Sequence, residues 1–279
     1  MPPYITIPLI IAAALLLLFL LYLLSVAPAG RRASVTPFLG AHYAHRGLHD
    51  GQNPENSLAA FAAAVEAGYG IELDVQLSRD GVAMVFHDAT LARVCGREGR
   101  VADYTAAELQ RFALCGKEMH TIPTFEQVLR LVDGRVPLLV EVKGYMHVAP
   151  VCEATAALLD AYHGPYLIES FSPYVVHWFK KNRPAVIRGQ LSSRLFCKGK
   201  RNLGNLVVQS LCCNFLARPD FIAFCYEDRH LLSYQIATRL YRAPSMAWTV
   251  KSETAEQESR DFDDIIFEGY LPKRKGETA

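Results

Sequence analysis

Two histidines and an arginine lie at the ends of short, mainly apolar runs in the first third of the chain. His45 and Arg46 follow the run 35–44, and His87 follows the run 82–86. Runs of this length are typical of buried strands, and polar side chains at strand ends form the active sites of α/β barrels. A histidine of near-neutral pKa can exchange a proton with a substrate. The pattern therefore predicts an enzyme.

Three carboxylates form a candidate metal site. Glu72 and Asp74 are two residues apart in an alternating stretch, so they share one face of a strand. Two carboxylates held that close repel each other unless a proton or a cation intervenes. Glu141, at the end of another strand-like run, supplies a third oxygen ligand, and an all-oxygen site suits Mg²⁺ or Ca²⁺ rather than Zn²⁺. The alternative is that Glu72 and Asp74 pair with Arg46 and Lys143 without a metal.

Strand-like runs alternate with helical patterns along most of the chain. After a first run that ends at His45, the strand-like runs are 71–77, 82–86, 136–142, 167–169, 187–191, 221–224, 246–250 and 265–267. The main helical patterns are 58–67, 125–132, 150–162, 173–182, 204–216 and 230–241. This alternation predicts an α/β fold, a (β/α)8 barrel of the TIM type. Nine strand-like runs exceed the eight that such a barrel needs, so one is extra. No helix fits between 71–77 and 82–86.

Five short motifs occur in order along the first half of the chain. They are HRG at 45–47, PEN at 54–56, ELD at 72–74, HD at 87–88 and EVK at 141–143. Together they resemble the glycerophosphodiester phosphodiesterase family, and the likeness covers roughly residues 41–270. The resemblance implies a TIM-type barrel and supports a divalent cation, Mg²⁺ or Ca²⁺, held by Glu72, Asp74 and Glu141. It also implies metal-dependent hydrolysis of glycerophosphodiesters to sn-glycerol 3-phosphate and an alcohol.

Phosphodiester hydrolysis requires proton transfer and neutralisation of charge on the phosphate, and the resemblance implies catalytic roles for the two histidines. His45 and His87 would be the general acid and the general base, and the sequence leaves open which is which. Arg46, whose fork matches two phosphate oxygens, and Lys143 would bind the phosphate. Trp248, at the end of a late strand, would pack either against the bound glycerol or in the core.

The amino-terminal segment is long and apolar. Residues 5–26 contain no charged side chain and would span about 33 Å as a helix, which matches a bilayer core. We interpret residues 1–30 as a transmembrane anchor with its juxtamembrane segment, and residues 31–279 as the barrel domain. A secretory signal is the alternative, because residues 27–29 resemble a cleavage site. Two arginines directly after the span predict a single-pass membrane protein with a cytoplasmic catalytic domain.

Composition limits the expected partners. The 279-residue chain has a formal net charge of +1, which gives no strong attraction to nucleic acid. Its seven cysteines include no CxxC pair, so reduced thiols are expected rather than a zinc site or a disulfide framework. The expected partners are a small glycerophosphodiester or lipid-derived substrate and a membrane; the oligomeric state is open. The alternatives are a phospholipase D-like or polyglycerophosphate-cleaving phosphodiesterase on the same site, and a non-catalytic membrane-anchored lipid-binding protein.

Overall fold

Eight parallel strands close into a barrel in the computed structural model, which describes residues 3–144, 148–198 and 201–273. In chain order, the strands of these residues are β1 (Tyr43–His45), β2 (Gly70–Leu77), β3 (Ala83–Val85), β4 (Ala113–Leu114), β5 (Lys117–Thr121), β6 (Leu138–Val142), β7 (Tyr166–Ser170), β8 (Arg188–Ser192), β9 (Phe221–Cys225), β10 (Ser245–Val250) and β11 (Asp264–Phe267). The barrel follows the order β1-β2-β6-β7-β8-β9-β10-β11, and β1 pairs with both β2 and β11. The predicted TIM-type barrel is confirmed.

Strand β3 is the extra strand that the barrel does not include. It runs antiparallel to β2 and pairs Val85 with Val75. An antiparallel strand can follow a tight turn, whereas a parallel one needs a long crossover, so the absence of a helix between the two runs has a physical reason. Strands β4 and β5 form a separate hairpin in the excursion that follows β3.

The helices surround the barrel. In chain order they are α1 (Pro3–Val26), α2 (Arg32–Val35), α3 (Leu58–Ala67), α4 (Ala92–Cys95), α5 (Ala106–Leu109), α6 (Phe125–Val132), α7 (Ala149–Asp160), α8 (Pro173–Asn182), α9 (Leu195–Lys198), α10 (Leu203–Gln209), α11 (Asn214–Ala217), α12 (Leu232–Gln235) and α13 (Glu253–Glu258). The predicted helix 204–216 is divided into α10 and α11, because Leu211 between them has a left-handed φ of 55°. The predicted helix 230–241 is divided into α12 and the π-helical turn Ile236–Leu240.

Side chains of the barrel strands alternate between the barrel interior and the layer under the helices. Within β6, Leu139 packs in the inner cluster with Leu167 and Phe221, whereas Val140 belongs to the outer cluster. Val35 of α2, which is fully buried, joins the inner cluster and closes the amino end of the barrel. The opposite, carboxyl end is therefore the end that is left for polar side chains.

Helix α1 is long and apolar enough to cross a membrane. Its segment Ile7–Val26 has a mean hydropathy of 3.0 and is 6% buried. Among its described side chains, only those near its carboxyl end dock on the barrel. Val26 is fully buried, and the Asn214 side chain donates a 2.8 Å hydrogen bond to the Val26 carbonyl. The Tyr241 hydroxyl donates to the carbonyl of Leu23 at 2.8 Å. A helix of this composition near the amino terminus is either a membrane span or a signal sequence.

Candidate active site

The parallel register places the predicted site residues at the carboxyl end of the barrel. His45 of β1 lies opposite Glu72 of β2, and Asp74 of β2 lies opposite Glu141 of β6. Strand β3 returns beside β2, so His87 follows it at the level of Asp74, whose carbonyl accepts a hydrogen bond from Phe86. His45, Glu72, His87 and Glu141 line one cavity of about 110 Å³.

The three predicted metal ligands converge. Glu72, Asp74 and Glu141 are buried, and each offers an oxygen atom within 4.8 Å of those of the other two. Lys143 Nζ lies 2.8 Å from Asp74 Oδ1 and 2.7 Å from Glu141 Oε2. Burial raises the pKa of Glu141 to about 7 although Lys143 opposes it. Burial, reinforced by Asp74, raises the pKa of Glu72 well above its usual range.

A fourth carboxylate, Glu169, joins this cluster and is not among the predicted site residues. It lies opposite Glu141 in the register of β7 and β6, and it is 1% exposed. Its Oε2 atom has no hydrogen-bond partner among the described residues. Burial, reinforced by Glu141 and Asp74, raises its pKa well above the usual range. Four buried carboxylates thus face two cations, Arg46 and Lys143, and the excess negative charge suits a divalent cation.

His45 is held by a glutamate from the last barrel strand. Glu268, directly after β11, accepts a 2.8 Å hydrogen bond from His45 Nδ1, and Lys251 Nζ lies 3.1 Å from its other oxygen. Burial lowers the pKa of His45, and Glu268 opposes this effect. The hydrogen bond to His45 lowers the pKa of Glu268 to about 2. Sequence reasoning missed Glu268, although its position at a strand end is the same signal that identifies His45.

His87 is held by its chain neighbour. His87 Nδ1 lies 2.8 Å from Asp88 Oδ1, and Arg93 Nε donates to the other oxygen of Asp88 at 2.6 Å. Burial lowers the pKa of His87, and Asp74 opposes this effect. The hydrogen bond from Arg93 lowers the pKa of Asp88 to about 2. Arg93 also donates to both oxygens of Glu55 at 2.7 Å, so one guanidinium joins the PEN and HD motifs.

Gln76 fixes the segment that carries His87. Its side-chain amide donates to the carbonyls of Phe86, His87 and Asp88 at 2.8, 3.2 and 2.9 Å. Gln76 follows Asp74 by two residues, so it belongs to the same strand face as the acidic pair. The strand that supplies the carboxylates therefore also positions this histidine.

Residues of the HRG and PEN motifs surround the Asp74 side chain. Arg46 has a left-handed φ of 58°, and its backbone N–H donates to Glu72 Oε2 at 3.0 Å. Its guanidinium donates to Glu55 at 2.8 Å and lies 3.6 Å from Asp74. Asn56, also with a positive φ, donates from its side chain to Asp74 Oδ2 at 2.9 Å. A Cβ atom at Gly47 would lie 2.8 Å from the backbone of α3, so only glycine fits there.

Aromatic and aliphatic side chains form the other wall of the cavity. Trp248 packs edge-on against Phe171 with ring centroids 5.5 Å apart, and Leu191 and Ile266 complete this wall. The Trp248 Nε1–H has no hydrogen-bond partner among the described residues. Trp248 therefore borders the cavity and also packs against a neighbouring ring. Contact with bound glycerol and packing in the core both stay predictions for this residue.

Comparison with known proteins identifies the family to which this barrel belongs. The model of the glycerophosphoryl diester phosphodiesterase family matches residues 45–193. The chain belongs to this family, as the motifs predict. The matched segment runs from His45 to Ser193, just past the end of β8, and contains the four carboxylates, the two histidines of the site and Lys143.

Two curated relatives carry the name glycerophosphodiester phosphodiesterase. The chain is 36% identical to a glycerophosphodiester phosphodiesterase of Caldanaerobacter subterraneus over 53% of its length and 65% of the relative. It is 41% identical to one of Bacillus altitudinis over 36% of its length and 43% of the relative. The chain thus spans less than two thirds of these relatives.

Two solved structures share the barrel. A phosphodiesterase of Oleispira antarctica in complex with sn-glycerol 3-phosphate superposes with a TM-score of 0.68, 24% identity, and coverage of 84% of this chain and 94% of that chain. A Thermotoga maritima glycerophosphodiester phosphodiesterase gives a TM-score of 0.63 and 25% identity over 81% and 93% of the two chains. This structural likeness confirms the fold.

Proposed function

We propose that this protein hydrolyses glycerophosphodiesters to sn-glycerol 3-phosphate and an alcohol, in a metal-dependent reaction with histidine acid–base catalysis. The observation that carries the proposal is the convergence, in one cavity, of two carboxylate-held imidazoles and a cluster of buried carboxylates. Membership of the chain in the glycerophosphoryl diester phosphodiesterase family supports phosphodiester chemistry. The Oleispira antarctica structure with sn-glycerol 3-phosphate supports the product.

Glu72, Asp74 and Glu141 would hold the divalent cation, Mg²⁺ or Ca²⁺. All three present oxygen atoms, which both ions prefer, and the spacing of these atoms within 4.8 Å allows one ion to touch all three. When bound, the cation supplies Lewis-acid stabilisation of charge on the phosphate oxygens. The excess of buried carboxylates over cationic side chains is the reason that we prefer a metal site to ion pairs alone.

Arg46 and Lys143 would bind the non-bridging phosphate oxygens. Both cations lie within the acidic cluster, so their charges are held in place before the substrate arrives. Preorganised cations of this kind stabilise the charge that develops on phosphorus-bound oxygen during transfer. Trp248 would pack against the glycerol moiety and donate a hydrogen bond to a hydroxyl from its Nε1–H, which has no partner in the described part of the chain.

His45 and His87 would transfer the protons. One imidazole takes a proton from the attacking oxygen as its bond to phosphorus forms. The other gives a proton to the alcohol oxygen as the phosphorus–oxygen bond to the leaving group breaks. Glu268 and Asp88 hold the two rings by their Nδ1 atoms, which leaves Nε2 for the substrate. The lowered pKa values of both histidines favour the neutral ring, which the general base requires. A bound anionic substrate favours the protonated ring, which the general acid requires.

The decisive experiment is release of glycerol 3-phosphate from glycerophosphocholine by the full chain, with and without a metal chelator. His45→Ala and His87→Ala are each expected to lower kcat by about 10²–10⁴-fold. His163→Ala, at an exposed position on the loop between α7 and β7, is the matched control and should retain activity. Activity that survives either substitution in the cavity would refute the acid–base assignment, and activity that survives chelation would refute the metal.

We further propose that residues 1–30 anchor the protein in a membrane and that residues 31–279 form a cytoplasmic catalytic domain. The apolar length of α1 supports the span, and Arg31 and Arg32 directly after it support the orientation. The protein should resist alkaline extraction from membranes, and its barrel should be digested by protease only when the cytoplasmic side is accessible. A mature protein that begins after residue 29 would instead identify a signal sequence.

A further inference from the structure

Helix α1 runs beside the segment 210–219 in the same direction. The Tyr22 hydroxyl donates to the carbonyl of Ser210 at 3.2 Å, and the Val26 carbonyl accepts from Asn214 at 2.8 Å. Three residues later, the Ala29 N–H donates to the carbonyl of Pro219 at 2.8 Å. Residue numbers thus increase together on both sides of this contact, so the two segments are parallel.

The segment 210–219 descends from the carboxyl end of the barrel to its amino end. At its upper end, the Val208 carbonyl accepts a 2.8 Å hydrogen bond from Ser192, the last residue of β8. At its lower end, the Asp220 N–H donates to the carbonyl of Arg188, the first residue of β8. Because α1 is parallel to this segment, its amino-terminal part points toward the end of the barrel that carries the active site.

The free part of α1 is long enough to span a bilayer from this level. Pro3 to Leu21 form about 28 Å of helix before Tyr22, the first described side chain of α1 that contacts the barrel, and the bilayer core is about 30 Å thick. Residues 7–21 are exposed along this whole length. The edge of the membrane would therefore lie near Tyr22, which is level with the loops around the active site.

These loops carry exposed apolar side chains. Leu203 and Leu206, on the connection after β8, are 74% and 41% exposed, and Leu232, on the connection after β9, is 61% exposed. Met119, on the β4–β5 hairpin, is 92% exposed, and this hairpin reaches the loop after β1 through the contact of Lys117 with the Gly51 carbonyl. Solvent-exposed leucine and methionine on the loops of one face suit a lipid surface. We call Met119, Leu203, Leu206 and Leu232 the apolar rim.

We propose that the carboxyl face of the barrel lies against the membrane that α1 enters, with the apolar rim in the headgroup layer and the candidate active site open toward the lipid surface. This placement rests on the proposed membrane anchor and extends the proposed function, since a site in this position receives diesters from the lipid surface. A barrel anchored with its amino end toward the membrane would instead take its substrates from bulk solution.

Fluorescence quenching in vesicles tests this orientation. The full chain is reconstituted in phosphatidylcholine vesicles whose acyl chains carry bromine near the headgroup, and one tryptophan is added at a time, by Leu203→Trp, Leu232→Trp or His163→Trp. All three positions are exposed, so the added ring does not disturb the core, and His163 lies at the opposite end of the barrel. The fluorescence added at positions 203 and 232, relative to the unsubstituted protein, should be lost in brominated vesicles, whereas that at 163 should remain.

Three results would overturn the proposal. Quenching at 163 without quenching at 203 and 232 would show that the barrel has the opposite orientation. Quenching at none of them would show that the barrel lies away from the lipid. Failure of the full chain to associate with vesicles would refute the proposed membrane anchor. The readout needs no turnover, so an inactive protein with a quenched rim would refute the proposed catalysis and leave the orientation intact.

Discussion

Glu268→Gln tests how the fold activates one histidine. Glu268 accepts a 2.8 Å hydrogen bond from His45 Nδ1, and the side chains of both residues are about one fifth exposed or less, at 22% and 16%. A charge-assisted hydrogen bond in such a setting contributes about 1.5–3 kcal/mol, because water screens it little. Glutamine keeps the size and one hydrogen bond but removes the charge that stabilises the imidazolium. We therefore expect kcat/KM for glycerophosphocholine to fall by about 10- to 150-fold.

The pH profile of this variant identifies the role of His45. Glu268 opposes the lowering of the His45 pKa by burial, so its replacement by glutamine should lower that pKa further. If His45 is the general base, the acidic limb of kcat/KM moves to lower pH, because the base must be neutral. If His45 is the general acid, the alkaline limb moves to lower pH. Asp88→Asn should move the other limb through His87.

A matched control and a clear refutation exist for this experiment. Glu126→Gln removes a glutamate that pairs with Arg130 on the exposed surface of α6, and it should change neither kcat/KM nor its pH profile. If Glu268→Gln leaves kcat/KM within about twofold of the wild type and both limbs in place, the carboxylate does not act on the histidine.

Two further substitutions test the support of His87. Gln76→Leu removes the donor to three carbonyls; we expect the free energy of unfolding to fall by about 1–3 kcal/mol and kcat to fall by about 10- to 100-fold as His87 shifts. Denaturant titration and turnover measure the two effects. Arg93→Met breaks its pairs with Asp88 and Glu55, and since Arg93 is half exposed, we expect a loss of about 1 kcal/mol at neutral pH. Asp88 has a lowered pKa of about 2, so this stabilisation is present above about pH 4 and is lost as the pH falls toward 2.

Residues of the same types away from the cavity provide the controls. Gln235→Leu removes a 2.6 Å hydrogen bond to the carbonyl of Arg229, away from the cavity, and should lower stability without changing kcat. Arg130→Met should leave stability within about 0.5 kcal/mol. Equal kcat values for the Gln76 and Gln235 variants would contradict the positioning role, and a wild-type-to-variant difference that grows below pH 4 would contradict the assignment of Arg93 to Asp88.

Local sequence patterns are sufficient for the repeating parts of the fold. The helix 58–67 has the predicted bounds, because Ser57 accepts from the Ala60 N–H and Gly68 adopts a left-handed conformation that ends the helix. These helix caps act within a few residues, so the sequence predicts them without the tertiary structure. The same holds for Glu72 and Asp74, since the two-residue period of a strand places both side chains on one face.

Sequence patterns were weaker where contacts are distant along the chain. Nine strand-like runs look alike in sequence, and the antiparallel pairing of β3 with β2 is what identifies the run 82–86 as the extra one. The direction of α1 follows from its docking against residues 210–219, nearly two hundred positions away. Apolar composition alone predicts that a helix enters a membrane. It contains no information about which end of the barrel faces that membrane.

The family, the alternation of strands and helices, and the residues whose motifs lie at strand ends all follow from the order of amino acids. Membership of Glu169 and Glu268 in the same site becomes visible only in the folded barrel. Glu169 enters because β7 lies beside β6, and Glu268 reaches His45 because the last strand, β11, pairs with the first, β1. Closure of a barrel is a property of all its strands together, so no local stretch of the chain can specify which side chains it brings into contact.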